Sequence, residues 1–125
     1  MQTQPSGASI LVVEDNADLC LNLALFLSDL DYPTVMAGNG REALVQLRSA
    51  PLPCLILLDL IMPVMNGWVF RAEQRQDPHL AAVPVIVMSG AVDNLAQESV
   101  ALDAVAFLSK PIDINELVQL VARYC

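Results

Sequence analysis

The chain has 125 residues, of which 55% are hydrophobic and 16% charged, and its formal net charge is −8. That length fits one domain able to bury roughly two-thirds of its unfolded surface, and the composition excludes a disordered chain. Six basic residues argue against a nucleic-acid surface, which needs clustered Lys and Arg, and no apolar run approaches the roughly 18 residues of a membrane span.

Residues 1–8 carry no positive charge and no apolar core. They read as a flexible N-terminal segment rather than a signal peptide, ahead of one domain over 9–125, and a soluble cytoplasmic protein is expected. Cys20, Cys54 and Cys125 form no C-x-x-C and have no histidine nearby, the one histidine being His79. The expectation is small buried hydrophobes plus a free C-terminal thiol, not zinc or thiol chemistry.

In chain order, SILVVED (9–15) is a short apolar strand ending in two acids. From Ala17 to Leu30 a helix follows, rich in helix formers, with Asp18, Asn22 and Asp29 as a narrow polar stripe and Leu21 and Leu25 at its margin. PTVMA (33–37) is a second strand, Asn39-Gly40 a turn, and REALVQLRS (41–49) a helix with Ala43, Leu44 and Leu47 on its inner side. Pro51 and Pro53 stop that helix, and CLILL (54–58) is strand three. WVFRAEQRQ (68–76) is the weakest helix, because the positions three and four beyond Trp68 and Phe70 are mostly polar. VPVIVMS (83–89) is strand four, NLAQESVAL (94–102) a helix, AVAFLS (104–109) strand five, and INELVQLVARY (114–124) a final helix with Leu117, Val118, Leu120, Val121 and Tyr124 inward.

Near-continuous apolar strands alternating with helices predict an α/β fold, a parallel sheet covered on both faces. Ligands of such sheets bind beyond the C-terminal strand ends. At those ends stand Glu14-Asp15, Asp59, Ser89-Gly90 and Lys110-Pro111, and Lys110 is the one lysine in the chain. Each alone has an ordinary explanation: a helix cap for the acids, a turn for Asp59 or Ser89, a solvated charge for Lys110. Together they place three carboxylates, a hydroxyl and an ammonium on one edge. Three close carboxylates stay ionised only beside positive charge, and Mg²⁺ suits a small oxygen site that meets phosphate. These are the parts of phosphoryl transfer, and with no G-x-x-x-x-G-K-[ST] loop the phosphoryl group has to come from a donor other than a bound nucleotide.

VVEDN at 12–16, DLIMPVMNG at 59–67, VIVMSG at 85–90 and FLSKP at 107–111 resemble, in order, the motifs of the receiver domain of two-component response regulators. The resemblance runs from about residue 9 to 124. It implies a flavodoxin-like (βα)5 fold with strand order 2-1-3-4-5, doubly wound, with helices on both faces. It implies Asp59 as phosphoacceptor, and Glu14, Asp15, Asp59 and the Ile61 carbonyl as Mg²⁺ ligands. By the same resemblance Ser89 is the hydroxyl that moves toward the phosphoryl group, Phe107 the aromatic that turns inward, and Lys110 the cation that bonds a phosphoryl oxygen, followed by a cis bond to Pro111. The implied partners are a sensor histidine kinase or histidine phosphotransfer protein and a downstream effector or output domain; for a homodimer, helix one and the last helix are the surfaces with apolar margins.

Ile61 and Ala91, each two residues after a site residue, are apolar, and Leu102-Asp103-Ala104 lacks the glycine that receivers often have before strand five. Gly67 is expected to supply a backbone angle other residues resist. The expected protein is a phosphorylation switch rather than an enzyme with its own substrate. Rival readings are a receiver-like module that binds partners without phosphorylation, and a Mg²⁺-dependent aspartyl phosphatase. The phosphatase wants a second acid two residues after the nucleophile, where Ile61 stands. A flavin carrier would want aromatic, hydroxyl-rich loops that are absent from the sequence. The chain reads equally as a stand-alone regulator or as the receiver of a longer one.

Overall fold

The computed structural model describes residues 8–49, 51–90 and 92–125, so expectations about residues 1–7 and Ala91 lie outside it. Five strands alternate with five helices: β1 (Ile10–Val13), α1 (Ala17–Asp29), β2 (Thr34–Ala37), α2 (Gly40–Ser49), β3 (Leu55–Asp59), α3 (Gly67–Gln76), β4 (Val85–Ser89), α4 (Leu95–Ala101), β5 (Ala106–Ser109) and α5 (Ile114–Tyr124). The strands form one parallel sheet in the order β2-β1-β3-β4-β5. From β1 the chain passes to β2 on one side and then crosses back to β3 on the other. The C-terminal ends of β1 and β3 therefore flank the crevice where strand order reverses, which is the ligand position of such sheets.

Strand alternation divides the apolar residues between two cores. Leu11, Val13, Ile56, Leu58, Val85 and Val87 face Ala43, Leu44 and Leu47 of α2, Phe70 of α3 and Leu95 of α4. Ile10, Val12, Leu55, Leu57, Ile86 and Met88 face Cys20, Leu23 and Leu27 of α1 and Leu117 and Val121 of α5. This two-sided burial is why the strands carry unbroken apolar runs. No helix among the described residues is long and apolar enough to cross a membrane. Leu21 and Leu25, at the margin of the polar stripe of α1, are exposed as its periodicity suggests.

Two helix ends explain the missing glycine. Leu102 caps α4, Asp103 N–H donates to the Val100 carbonyl and Ala104 N–H to the Ser99 carbonyl, while Asp103 takes a positive φ of 55°. This is a Schellman ending with aspartate where glycine is usual, tolerable because Asp is among the side chains that visit left-handed backbone. The end of α1 repeats it with Asp31 at φ 70°, its N–H on the Ser28 carbonyl and that of Tyr32 on the Leu27 carbonyl. The loop before β5 keeps the geometry a glycine would give.

The polar face of α3, which weakens its helical pattern, is buried. Arg71 donates from Nε to the Leu102 carbonyl at 2.9 Å, from Nη2 to the Asp103 carbonyl at 2.9 Å and from Nη1 to Gln74 Oε1 at 2.7 Å. Gln74 Nε2 in turn donates to the Leu80 and Val83 carbonyls. Burial, with Arg75 adding to it and Asp103 opposing, lowers the proton affinity of the Arg71 guanidinium from its ordinary value. The network ties α3 to the turn after α4, and Trp68 Nε1 adds a bond to Glu98 Oε1 at 2.8 Å. Hydrophobic periodicity misses such a face because its inward groups are polar.

The cysteine expectation is corrected. Cys54 and Cys125 are joined as a disulfide across 71 residues of sequence, with Cα atoms 5.3 Å apart, and Cys20 alone is a free, buried thiol. Spacing along the chain could not reveal this pair, because parallel crossovers bring the start of β3 beside the end of α5.

Arg71→Ala should lower the unfolding free energy by about 3 kcal/mol, since it strips partners from buried carbonyls and from Gln74. Urea unfolding checks this, and a loss under about 1 kcal/mol would mean that water or relaxed backbone replaces those bonds.

Candidate functional site

Three strand ends build the site. Glu14 follows β1 and is only 2% exposed, Asp59 closes β3 and is 4% exposed, and Lys110 follows β5. Lys110 Nζ donates to Glu14 Oε1 at 2.6 Å and to Asp59 Oδ2 at 3.2 Å. The remaining carboxylate oxygens meet backbone: Asn16 N–H donates to Glu14 Oε2 at 3.1 Å and Ile61 N–H to Asp59 Oδ1 at 3.2 Å. Burial alone would pull the Lys110 proton affinity down, but the bond to Glu14, followed by the charges of Asp59 and Glu14, outweighs it and the net shift is upward. The ammonium is therefore held charged between the two buried acids.

Asp15 points outward beside them, exposed, and one oxygen each of Glu14, Asp15 and Asp59 lies within 4.8 Å of the others. The acids do not cap α1; Asn16 does, its Oδ1 accepting from Leu19 N–H at 3.1 Å. Three carboxylates and one ammonium leave a net charge of −2 when all are ionised, which one divalent cation cancels. A donor set made only of oxygens fits a hard ion of the Mg²⁺ type.

The loop from Leu60 to Asn66 holds Asp59 at the tip. Met65 N–H donates to the Pro63 carbonyl at 2.7 Å around Val64, whose φ is 68°. A γ-turn of this sign is strained, and a β-branched residue at positive φ is an outlier. Val64 is 73% exposed, so side-chain packing does not account for it. The loop is pinned from both sides, by Gly67 N–H on the Leu60 carbonyl at 3.0 Å and Gly40 N–H on the Met65 carbonyl at 2.9 Å. Asn66 Oδ1 then accepts from Val69 N–H and starts α3.

The role expected of Gly67 is corrected by this geometry. Its backbone is not at a positive φ; instead a Cβ there would sit 2.5 Å from the Asp59 carbonyl oxygen and 2.8 Å from Leu60 Cα. Gly67 is needed for close approach, so that α3 begins directly against the end of β3.

Ser89 ends β4, buried, one residue beyond the Met88 that pairs with Asp59. Lys110 N–H donates to the Ser89 carbonyl at 3.1 Å, so the ends of β4 and β5 are tied together. Phe107 on β5 is 39% exposed and the Lys110–Pro111 peptide bond is cis. The structure thus gathers Glu14, Asp15, Asp59 and Lys110, sets Ser89 on the adjoining strand and leaves Phe107 outside. The amide groups of Asn16 and Ile61, which hold the acids, carry no sequence signal because any residue but proline supplies an N–H.

The model of the response regulator receiver domain family matches residues 10–122. Among curated proteins the chain is 34% identical over 117 residues to the sensor histidine kinase TmoS of Ectopseudomonas mendocina, covering 93% of this chain and 12% of that protein. It is 32% identical over 117 residues to the response regulator Rre1 of Synechocystis, covering 90% of this chain and 49% of Rre1. The chain thus spans about half of Rre1 and a small part of TmoS. Among solved structures, a response regulator receiver protein from Pseudomonas putida superposes with a TM-score of 0.88 at 31% identity, covering 96% of this chain and 99% of that one.

Gly67→Ala should cost at least about 2 kcal/mol, because backbone on both sides prevents relief of the overlap; thermal unfolding within a degree or two of wild type would show that the loop yields instead. Val64→Gly should raise stability by about 1 kcal/mol, the release of positive-φ strain exceeding the added freedom of the unfolded chain. A loss measured by urea titration would count against strain at Val64.

Proposed function

Because the chain belongs to the response regulator receiver domain family, we propose that it is a phosphorylation switch in which Asp59 accepts a phosphoryl group from a histidine of a partner kinase or phosphotransfer protein. The observation that carries this reading is the cluster of three carboxylates at adjoining strand ends, two of them ion-paired with one lysine.

An Asp59 oxygen is the nucleophile, held at the strand tip by the pinned loop. It forms the new bond to phosphorus as the donor's phosphorus–nitrogen bond breaks, and the imidazole leaves. Glu14, Asp15, Asp59 and the Ile61 carbonyl would hold Mg²⁺, which supplies positive charge to the transferred group's oxygens. Lys110 already bonds Asp59 Oδ2, so a short shift of its Nζ places an ammonium on a phosphoryl oxygen. Since transfer of this kind is mostly positioning and charge neutralisation, no separate general acid is required. That favours the switch over a phosphatase, as does the apolar Ile61 two residues after Asp59.

The new charge then acts on its neighbours. Ser89 Oγ moves to bond a phosphoryl oxygen, and Phe107, now on the outside, turns inward beside it. This changes the surface made by α4, β5 and α5, where a downstream effector or output domain reads the state. The protein works in the cytoplasm with such partners and turns over no substrate of its own.

Intact mass after incubation with a small acyl phosphate should show a gain of one phosphoryl group that needs Mg²⁺, is abolished by chelation and is lost in Asp59→Asn. Modification that persists in Asp59→Asn would move the acceptor elsewhere. No gain under any condition would favour a binding module that works without phosphorylation, and phosphate release far above the amount of protein would revive the phosphatase.

A further inference from the structure

The Cys54–Cys125 pair lies at the sheet edge opposite the carboxylate site. Cys54 immediately precedes β3 and Asp59 ends it, so a strand of roughly 16 Å separates the two chemistries. Cys125 caps α5, its N–H on the Val121 carbonyl at 2.9 Å. Beyond Val121, which is buried, the last turn is held lightly: Tyr124 and Cys125 pack half-buried against the core, Ala122 and Arg123 are exposed, and Tyr124 Oη reaches the Val105 carbonyl only at 3.5 Å. The covalent link adds an anchor to that partial packing.

Both oxidation states fit the site. The Cα separation of 5.3 Å is within the range a disulfide spans. Cys54 Sγ also lies 3.4 Å from the Ser9 carbonyl, an acceptor for its S–H when reduced, while Cys54 N–H is held by the same carbonyl at 2.8 Å. Both cysteines are half-buried, within reach of a small thiol. Cys20 differs on every count: it is buried, its S–H faces the Val12 carbonyl, and burial together with the charge of Glu14 raises its proton affinity. Thiolate chemistry is suppressed there.

We propose that Cys54 and Cys125 form a reversible, redox-responsive staple that fixes the last turn of α5 to the N-terminal edge of the sheet, independently of chemistry at Asp59. The oxidant is a low-molecular-weight disulfide. One cysteine thiolate attacks it, forming a mixed disulfide and expelling one small thiolate. The second cysteine thiolate attacks the protein sulfur of that adduct, forming Cys54–Cys125 and expelling the other. Two cysteine thiols are oxidised by loss of two electrons, the small disulfide is reduced to two thiols, and the two protons pass from the cysteines to the departing thiolates. Excess small thiol runs the sequence backward. Because α5 is part of the surface assigned above to effectors, closure stiffens one side of that surface without touching the phosphoacceptor.

The full chain, equilibrated anaerobically across ratios of reduced to oxidised glutathione, is quenched in acid, alkylated under denaturing conditions and weighed intact. The expected result is a single transition from three alkylated thiols to one, with Cys20 the thiol that remains, and no internal pair in Cys54→Ser or Cys125→Ser at any ratio. Amide exchange of residues 121–125 should be about tenfold faster or more in the reduced form, while phosphoryl uptake from an acyl phosphate is equal in both. Three alkylated thiols at every ratio, one alkylated thiol even in excess reduced glutathione, a pair that includes Cys20, or chains linked to one another as the main product would overturn the staple. So would equal amide exchange in the two forms.

Discussion

Three carboxylates gathered within 4.8 Å at the tips of two strands are the constraint on which the rest of the structure turns. Two of them are buried, and an ionised acid out of water needs a positive partner or a proton. Lys110 supplies one positive charge from a third strand end, and two backbone amides complete the bonds. The imbalance that remains is the site's capacity for further positive charge.

Holding those groups at the tips falls to features that cost the chain stability locally. Val64 sits at positive φ, Gly67 is stripped to a bare Cα so that α3 can abut Asp59, and Gly40 brings the start of α2 against the same loop. Surrounding contacts over-determine each of them, which is the condition under which strained backbone persists. On the far side of α3, Arg71 and Trp68 fasten both the body of α4 and the turn that follows it. The segment leaving Ser89 is thereby framed by a loop that is pinned and a helix that is tethered at its far end. Its near end is lighter: Asn94 enters α4 at positive φ with no side-chain cap bond.

The two ends of β3 separate two kinds of chemistry, an anionic cluster at Asp59 and a sulfur pair at Cys54. A strand buried on both faces lies between them.

Most of the architecture was legible in the sequence, because two-sided strands write themselves as apolar runs and acids, serine and lysine at their ends stand out against them. Asp59, Glu14, Asp15 and Lys110 could be named before any coordinate, for a charge beside an apolar run has few structural excuses. What escaped were features whose cause lies elsewhere in the chain. Arg71 and Gln74 read only as polar positions that weakened the pattern of α3, because the carbonyls of residues 80, 83, 102 and 103 that meet them come from other segments. Gly67 looked like a turn residue, although contact with Asp59 and Leu60 is what excludes a side chain. Cys54 and Cys125, 71 residues apart, became neighbours only when crossovers laid the end of α5 beside the start of β3. By itself the sequence determined the elements, their two-sided burial and the residues that would meet at one edge, since these follow from local pattern and side-chain chemistry. Tertiary structure alone decided which oxygen each donor serves, which polar groups are buried and which sulfurs meet, because those depend on distances between segments that no spacing along the chain encodes.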